Sequence, residues 1–467
     1  MNSSRDATEQ AAVALIEVLT GGGAAGQGQR ELLRQLRDRI ERWVATRPPV
    51  AQTWRAILAE PRRGYPQLID LLAQLVKGDV VGRHLVRNFG DEDHSCAKLR
   101  YLDFVVAIEM SGEGVTVRLL ATPCGERCSV GIDLSAFQHK AISIVQSYES
   151  RMRQSRDTRR QEPAVSLSHS PERLGIDLFK ALFVGGIRDA WIASRGLLVG
   201  RTDLGLRLRL IFDLKHEALR PLAALPWELL RDPATEQVLC KNVRTPVVRS
   251  LEVAVVVIDA PPRSTKILLV HSQPRDQVDL DVPRESRAIE EAWRLVPGLR
   301  VESMPADLGS LRAQLRDQSV DVLHFMGHGD FDQSTQEGLL IFEDAAGDSR
   351  EIPATILVEQ LSGVLLSLVV LSSCSSGALR RIAGAGAYSG VAAAFVRAGF
   401  PAVVAMQFPI SDEAAIAFGR KVYRCLATGS AVETAVTEGR LAISESDPHS
   451  LEWATPVLYL ARSGTAE

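Results

Sequence analysis

Two apolar runs in the chain stop at residues able to do chemistry. Val322-Leu323-His324-Phe325-Met326 leads into Gly327-His328-Gly329-Asp330, and Leu368-Val369-Val370-Leu371 leads into Ser372-Ser373-Cys374-Ser375-Ser376-Gly377. A free thiol, with a pKa of about 8.5, is only slightly ionised at neutral pH. A nearby imidazole can take its proton and later return it to a leaving group. Gly329 lets backbone approach a bound carbonyl, and its N–H, with that of Cys374, is suited to stabilising a developing oxyanion. A lone strand cysteine is ordinarily packing, and a lone strand-end histidine is ordinarily a satisfied polar residue. The glycine and serine flanks, and the matching positions at two strand ends, favour chemistry. His324, four residues before His328 on the same strand, points into the packing instead.

Such positions matter because ligands bind beyond the carboxyl ends of strands in open α/β sheets. Adjacent strands lie about 4.8 Å apart, so side chains leaving two neighbouring ends can meet. The segment between the two motifs leaves room for a hairpin or a crossover. From Lys266 onward, apolar strands alternate with helices: Ile267–Val270, Leu299–Ser303, Val320–Met326, Leu365–Leu371, Ala402–Met406 and a last strand near Val457–Leu460. Near-continuous apolar strands of this kind predict a mainly parallel sheet covered by helices on both faces.

The earlier sequence divides in two. Over residues 1–90, Leu32, Leu33, Leu36, Ile40 and Val44 form a helical stripe between arginines, and Arg47-Pro48-Pro49 stops it. Two more helices are expected at Ala51–Ala59 and Gln67–Lys77, completing a small helical bundle. Strands follow at Phe104–Ile108 and Val115–Leu120 across a Ser111–Gly114 hairpin turn. Further strands are expected at Leu206–Phe212 and Val253–Ile258, with Val247–Leu251 leading into the second. Residues 147–172 read as a solvated linker rich in arginine. The boundaries expected are 1–90, 100–260 and 264–467.

Composition narrows the classes. The chain has 467 residues, 46% hydrophobic and 24% charged, which excludes wholesale disorder. A formal charge of -3 argues against a protein that works by neutralising phosphates, so nucleic acid is not an expected partner. No apolar stretch reaches membrane-spanning length, so no membrane is expected. The polar N-terminus lacks a secretory pattern, and six cysteines in so long a chain do not suggest a disulfide scaffold. The expected compartment is a reducing cytoplasm, with Cys425 in the core and Cys96, Cys124 and Cys128 as ordinary thiols. No zinc pattern fits them. No phosphate-binding loop with its lysine occurs, and no cofactor is expected.

His-Gly after one strand and Ser-Ser-Cys-Ser-Ser-Gly after another resemble the caspase-like cysteine peptidases, the group of separases and gingipains. More specifically, residues 100–463 are similar to its bacterial CHAT-type branch, through Leu225–Pro233, Arg244–Arg249, His324–Gly329, Leu371–Gly377, Ala398–Asp412 and Trp453-Ala454. The resemblance implies a caspase-like α/β fold whose first half, residues 100–260, is a degenerate copy packed on the catalytic half. It implies that His328 is the general acid/base, that Cys374 is the nucleophile, and that Gly329 and Cys374 supply the oxyanion N–H groups. Asp412, with Gln407, becomes the candidate for binding the basic side chain that similar separase-like enzymes favour. A helix N-cap is the competing role for Asp412. With a basic preference, the arginine-rich segment 151–160 is a candidate for self-cleavage.

The expected activity is cleavage of a protein substrate. The family's setting implies control by an activating sensor or adaptor, recruited through residues 1–90, in bacterial antiphage defence or cell death. Two alternatives stay open: a catalytically inactive caspase-like binding platform, and another thiol acyl-transfer hydrolase.

Overall fold

The computed structural model describes residues 15, 27–60, 65–78, 96–112, 114–132, 171–213, 216–251, 266–293, 299–317, 320–332, 334–335, 337–372, 387–448 and 450–461. Three expectations fall outside them: the placement of Cys374, the arginine-rich segment 151–160, and the strand Val253–Ile258. The chain forms two compact units, Met1–Ser95 and Cys96–Glu467.

In the first unit, helices α1 (Gln27–Ala45), α2 (Pro48–Ala59) and α3 (Tyr65–Gly78) bury Leu36, Ile40, Val44, Trp54, Ile57, Leu68, Leu72 and Leu75 together. Proline at the first position of α2 explains why the chain stops and restarts there, because proline lacks the N–H that a continuing helix needs.

In the second unit the chain supplies β1 (Arg100–Ser111), β2 (Gly114–Ala121) and β3 (Cys128–Ile132). Helices α4 (Pro171–Leu182) and α5 (Gly185–Gly196) precede β4 (Leu204–Phe212) and β5 (Val247–Leu251). Gly112, at φ +62°, makes the β1–β2 turn, where side chains are disfavoured. The second half begins with β6 (Lys266–His271), α6 (Val282–Trp293), β7 (Arg300–Pro305), α7 (Leu308–Asp317) and β8 (Val322–Met326). A three-stranded antiparallel insertion follows, β9 (Gly329–Asp332), β10 (Glu337–Glu343) and β11 (Ser349–Pro353). Then come α8 (Ala354–Gln360), β12 (Leu368–Ser372), α9 (Ala387–Arg397), β13 (Ala402–Met406), α10 (Asp412–Ala427), α11 (Val432–Ser446) and β14 (Pro456–Leu460).

All strands except the insertion make one 11-stranded sheet, ordered β3-β2-β1-β4-β5-β14-β13-β12-β8-β6-β7. The pairings are parallel apart from β3–β2, β2–β1 and β13–β14. β14 therefore joins two half-sheets that run in opposite directions. This is the expected α/β architecture, with a mainly parallel sheet between helices. The insertion is the hairpin that the segment between the two motifs had room for. β12 begins three residues later than the apolar run, because Leu365 is exposed to solvent.

Side-chain alternation explains the layers. Val322 and Met326 of β8 join the core under α6, α10 and α11, while Leu323 and Phe325 join the opposite core under α7, α8 and α9. His324 thereby faces the α6–α10 side.

Cys425 is buried in the core as expected, but the structure corrects the expectation of an ordinary thiol at Cys96. Cys96, just before β1, forms a disulfide with Cys425 of α10, 329 residues away in sequence. Among the described residues, Cys124, Cys128 and Cys240 remain free.

Candidate active site

The register of β8 and β12 sets the geometry. The two strands are parallel neighbours with Ser372 opposite Met326, so their carboxyl ends finish level at one rim of the sheet. Beyond Met326 the strands stay tied, because Gly327 donates its N–H to the Ser372 carbonyl at 3.2 Å. No side chain fits at Gly327: a Cβ there would lie 2.8 Å and 2.9 Å from ring atoms of Phe325 and 2.9 Å from Cβ of Ser272. The glycine lets the chain turn tightly out of the strand and aims the next residue, His328, at the rim.

His328 is 3% exposed. Its Nε2 lies 2.8 Å from the carbonyl oxygen of Val278. A carbonyl only accepts, so Nε2 carries the proton and the lone pair sits on Nδ1. Burial pushes the imidazole pKa below its ordinary value, partly opposed by the Val278 hydrogen bond, which favours the charged form. The result is an imidazole held neutral, in one tautomer, with Nδ1 as its basic atom.

The loop that presents the Val278 carbonyl is pinned to the β10–β11 hairpin. Gln273 N–H donates to Glu343 at 2.7 Å, and Arg275 N–H donates to the Gly347 carbonyl at 3.0 Å. Asp276 accepts from both the N–H and the hydroxyl of Ser349, at 2.9 Å and 2.5 Å. The Ser349 bonds hold the Asp276 carboxyl below its usual range. Val278 is 53% exposed, and it is its backbone carbonyl that makes the hydrogen bond with His328.

Gly329 begins β9 and pairs with Leu340. Ile341 donates to the His328 carbonyl at 3.0 Å, which makes Gly329–Leu340 a pair of the type that exchanges no hydrogen bonds. Gly329 N–H therefore points away from β10, on the outer side of an edge strand. That is the orientation an oxyanion donor requires.

The other candidates lie elsewhere on this framework. Gln407, just past β13, is buried: its Oε1 accepts from Arg249 at 3.0 Å, and its Nε2 donates to Glu228 and to the Ala454 carbonyl, both at 2.8 Å. Both amide hydrogens are occupied, so binding a substrate would require breaking a buried network centred on the Arg249–Glu228 ion pair at 2.6 Å. Asp412 is the first residue of α10 and half-buried, but it is not the helix cap. That role belongs to Ser411, whose hydroxyl accepts from Ala414 N–H at 3.3 Å and is itself held by Glu452 at 2.8 Å. Sequence reasoning missed Val278, because any residue has a carbonyl. It also missed Glu285 of α6, whose carboxyl accepts from the Ser372 hydroxyl at 2.8 Å.

Among the described residues, no group of three or more His, Cys, Asp or Glu side chains gathers to hold a metal. No helix among them is long and apolar enough to cross a membrane.

The residues described above fall within a recognised sequence family. A family model described as "CHAT domain" matches residues 178–461, and no curated protein matches the chain. Among solved structures, the chain is similar to the Saccharomyces cerevisiae separase–securin complex. One such structure shows 11% identity and a TM-score of 0.42, covering 81% of this chain and 31% of the other. A second shows 12% identity and a TM-score of 0.41, covering 86% and 33%. The chain thus spans about a third of the length of these separase chains. The Arg-specific cysteine proteinase gingipain R matches at 11% identity and a TM-score of 0.36, covering 64% of this chain and 68% of that one. Because the family model takes in more than half of the sequence, including His328 and the whole of β12, the chain belongs to the CHAT domain family.

Proposed function

We propose that this protein is a cysteine endopeptidase in which His328 and Cys374 form the catalytic pair. The observation that carries the reading is the hydrogen bond from His328 Nε2 to the Val278 carbonyl, which leaves Nδ1 as the free base at the sheet rim. Cys374 lies two residues beyond Ser372 in sequence. Ser372 is the β12 residue paired with Met326, and His328 stands the same two residues beyond that.

In this mechanism Nδ1 takes the thiol proton, and the sulfur attacks the scissile carbonyl. The C–S bond forms as the carbonyl π pair moves onto oxygen, where the N–H groups of Gly329 and Cys374 stabilise it. Collapse of the tetrahedral intermediate breaks the C–N bond, and the imidazolium protonates the departing amine. Water then attacks the thioester with His328 as base, releasing the acid and restoring the thiol.

Asp412 remains the candidate partner for a basic substrate side chain, because Ser411 frees it from capping α10. Charge reversal in Asp412→Lys should remove a preference for Lys or Arg while leaving the fold intact. Retention of that preference would reject the role. Control by a sensor or adaptor docking on the helical unit, in a defence or cell-death system, extends the reading.

The test is a peptide library digested by the wild-type protein, Cys374→Ala and His328→Ala, with and without a cell extract that could supply an activator. Cleavage by the wild type alone supports the proposal. Cleavage that persists in Cys374→Ala refutes it. Absence of any cleavage, with Cys374 still reactive toward acyl electrophiles, would favour a different thiol acyl-transfer hydrolase. An unreactive Cys374 would favour a binding platform.

A further inference from the structure

The chain buries a carboxyl group where its helix should be apolar. In α6 the inward face carries Val282, Glu285, Ala288, Ile289, Ala292 and Trp293, and Glu285 is 6% exposed. A carboxyl in such a position is costly unless its oxygens are engaged. Here Oε1 accepts the Ser372 hydroxyl at 2.8 Å and lies 3.5 Å from Nε2 of His324. His324 Nδ1 is 2.7 Å from the Tyr423 hydroxyl. Burial, reinforced by Glu285, pushes the Tyr423 pKa well up, so its hydroxyl stays protonated in this hydrogen bond. His324 Nε2 faces Glu285 at that distance without a hydrogen bond.

Ser372 is gripped from two sides. Its side chain is held by Glu285, while its carbonyl holds Gly327 N–H, the residue before His328. Through this serine, one carboxyl on α6 fixes the ends of both β8 and β12. Helix α6 also begins just after the loop whose Val278 carbonyl holds His328.

We propose that Glu285 is a positioning residue that fixes the two strand ends against each other through Ser372, with His324 and Tyr423 packed behind it. The assignment rests on the reading of His328 and Cys374 as the catalytic pair. A displacement of about 1 Å between reacting groups can lower a rate about 100-fold, so a tie at this place controls reactivity and not only folding.

The test measures alkylation of Cys374 by iodoacetamide at pH 7, resolved by peptide mass spectrometry, with thermal melting as the control for folding. Glu285→Met keeps the side-chain length and removes the acceptor, whereas Glu285→Gln keeps an acceptor oxygen for Ser372. Glu285→Met and Ser372→Ala should each slow Cys374 alkylation about 10- to 100-fold. Glu285→Gln should recover most of that loss, and labelling of Cys124 should not change. The double variant Glu285→Met/Ser372→Ala should be no slower than Glu285→Met alone, since both remove the same tie.

Wild-type alkylation rates in Ser372→Ala, additive losses in the double variant, or a Gln variant as slow as Met would each overturn the proposal. Should Glu285→Met fail to fold, Ser372→Ala and Glu285→Gln decide the matter. His328→Ala separates the two levels. If it slows labelling while Ser372→Ala does not, only the Glu285 assignment falls. If it labels at the wild-type rate, the catalytic pair falls and the Glu285 assignment with it.

Discussion

Gly327 and Ser372 join the ends of two parallel strands by a single backbone hydrogen bond of 3.2 Å, and the candidate catalytic residues stand one and two positions beyond them. The bond depends on a close approach that only glycine permits. In Gly327→Ala the new methyl would meet the Phe325 ring and Ser272, both within 2.9 Å. Phe325 is itself stacked on Phe342 and has little room to yield. The variant should lose about 1–3 kcal/mol of stability and nearly all activity. Melting and peptide cleavage measured together check this, and an active Gly327→Ala would show that the tie is dispensable.

The buried His328 imidazole should make stability depend on pH with a definite sign. Its folded-state pKa lies below the unfolded value of about 6.5, so between the two the unfolded chain binds more protons. Its contribution is therefore complete above that unfolded value and is lost as pH falls toward the folded one. The drop in melting temperature between pH 7 and pH 5 should be larger for the wild type than for His328→Asn, which has no group titrating there. Equal drops would contradict a buried neutral imidazole.

The Cys96–Cys425 disulfide ties the segment before β1 to α10, closing most of the second unit into a loop. Cross-links of this kind contribute about 2–4 kcal/mol, chiefly by restricting the unfolded chain. Cys96→Ser/Cys425→Ser should melt lower under oxidising conditions and match the reduced wild type. An unchanged melting temperature, or mass analysis finding both thiols free in the oxidised protein, would contradict the pairing.

Much of this organisation was legible in the sequence, for physical reasons that also explain the gaps. The apolar run Val322–Met326 ending in Gly-His-Gly marks a strand that must stop where the chain turns, and β8 stops there. The parallel order of β6, β8, β12 and β13 follows from strands alternating with helices. Glu285 left a weaker trace: it interrupts the apolar stripe from Val282 to Trp293, but a charged helix offers several glutamates that look alike. Val278 left none, because a carbonyl has no residue type. Cys96 and Cys425 are brought together only by the completed sheet and α10, so no local spacing announces their bond. Gln407 sits at a strand end as a ligand-binding residue would, yet the buried Arg249 and Glu228 engage its amide.

In the proposed mechanism an imidazole at the rim of the sheet ionises the Cys374 thiol. The most direct measurement is the pH dependence of Cys374 alkylation in the wild type and in His328→Gln, with Cys124 and Cys240 as internal references. Cys240 is fully buried and its thiol is pushed up to about 11, so it should stay inert throughout. Cys124, where burial is outweighed by hydrogen bonds from Ser194 and Thr122, should label identically in both proteins. Wild-type Cys374 should react well below the ordinary thiol range, and in His328→Gln its profile should move up to that of a free thiol, at about 8.5. Superimposable Cys374 profiles in the two proteins would contradict it.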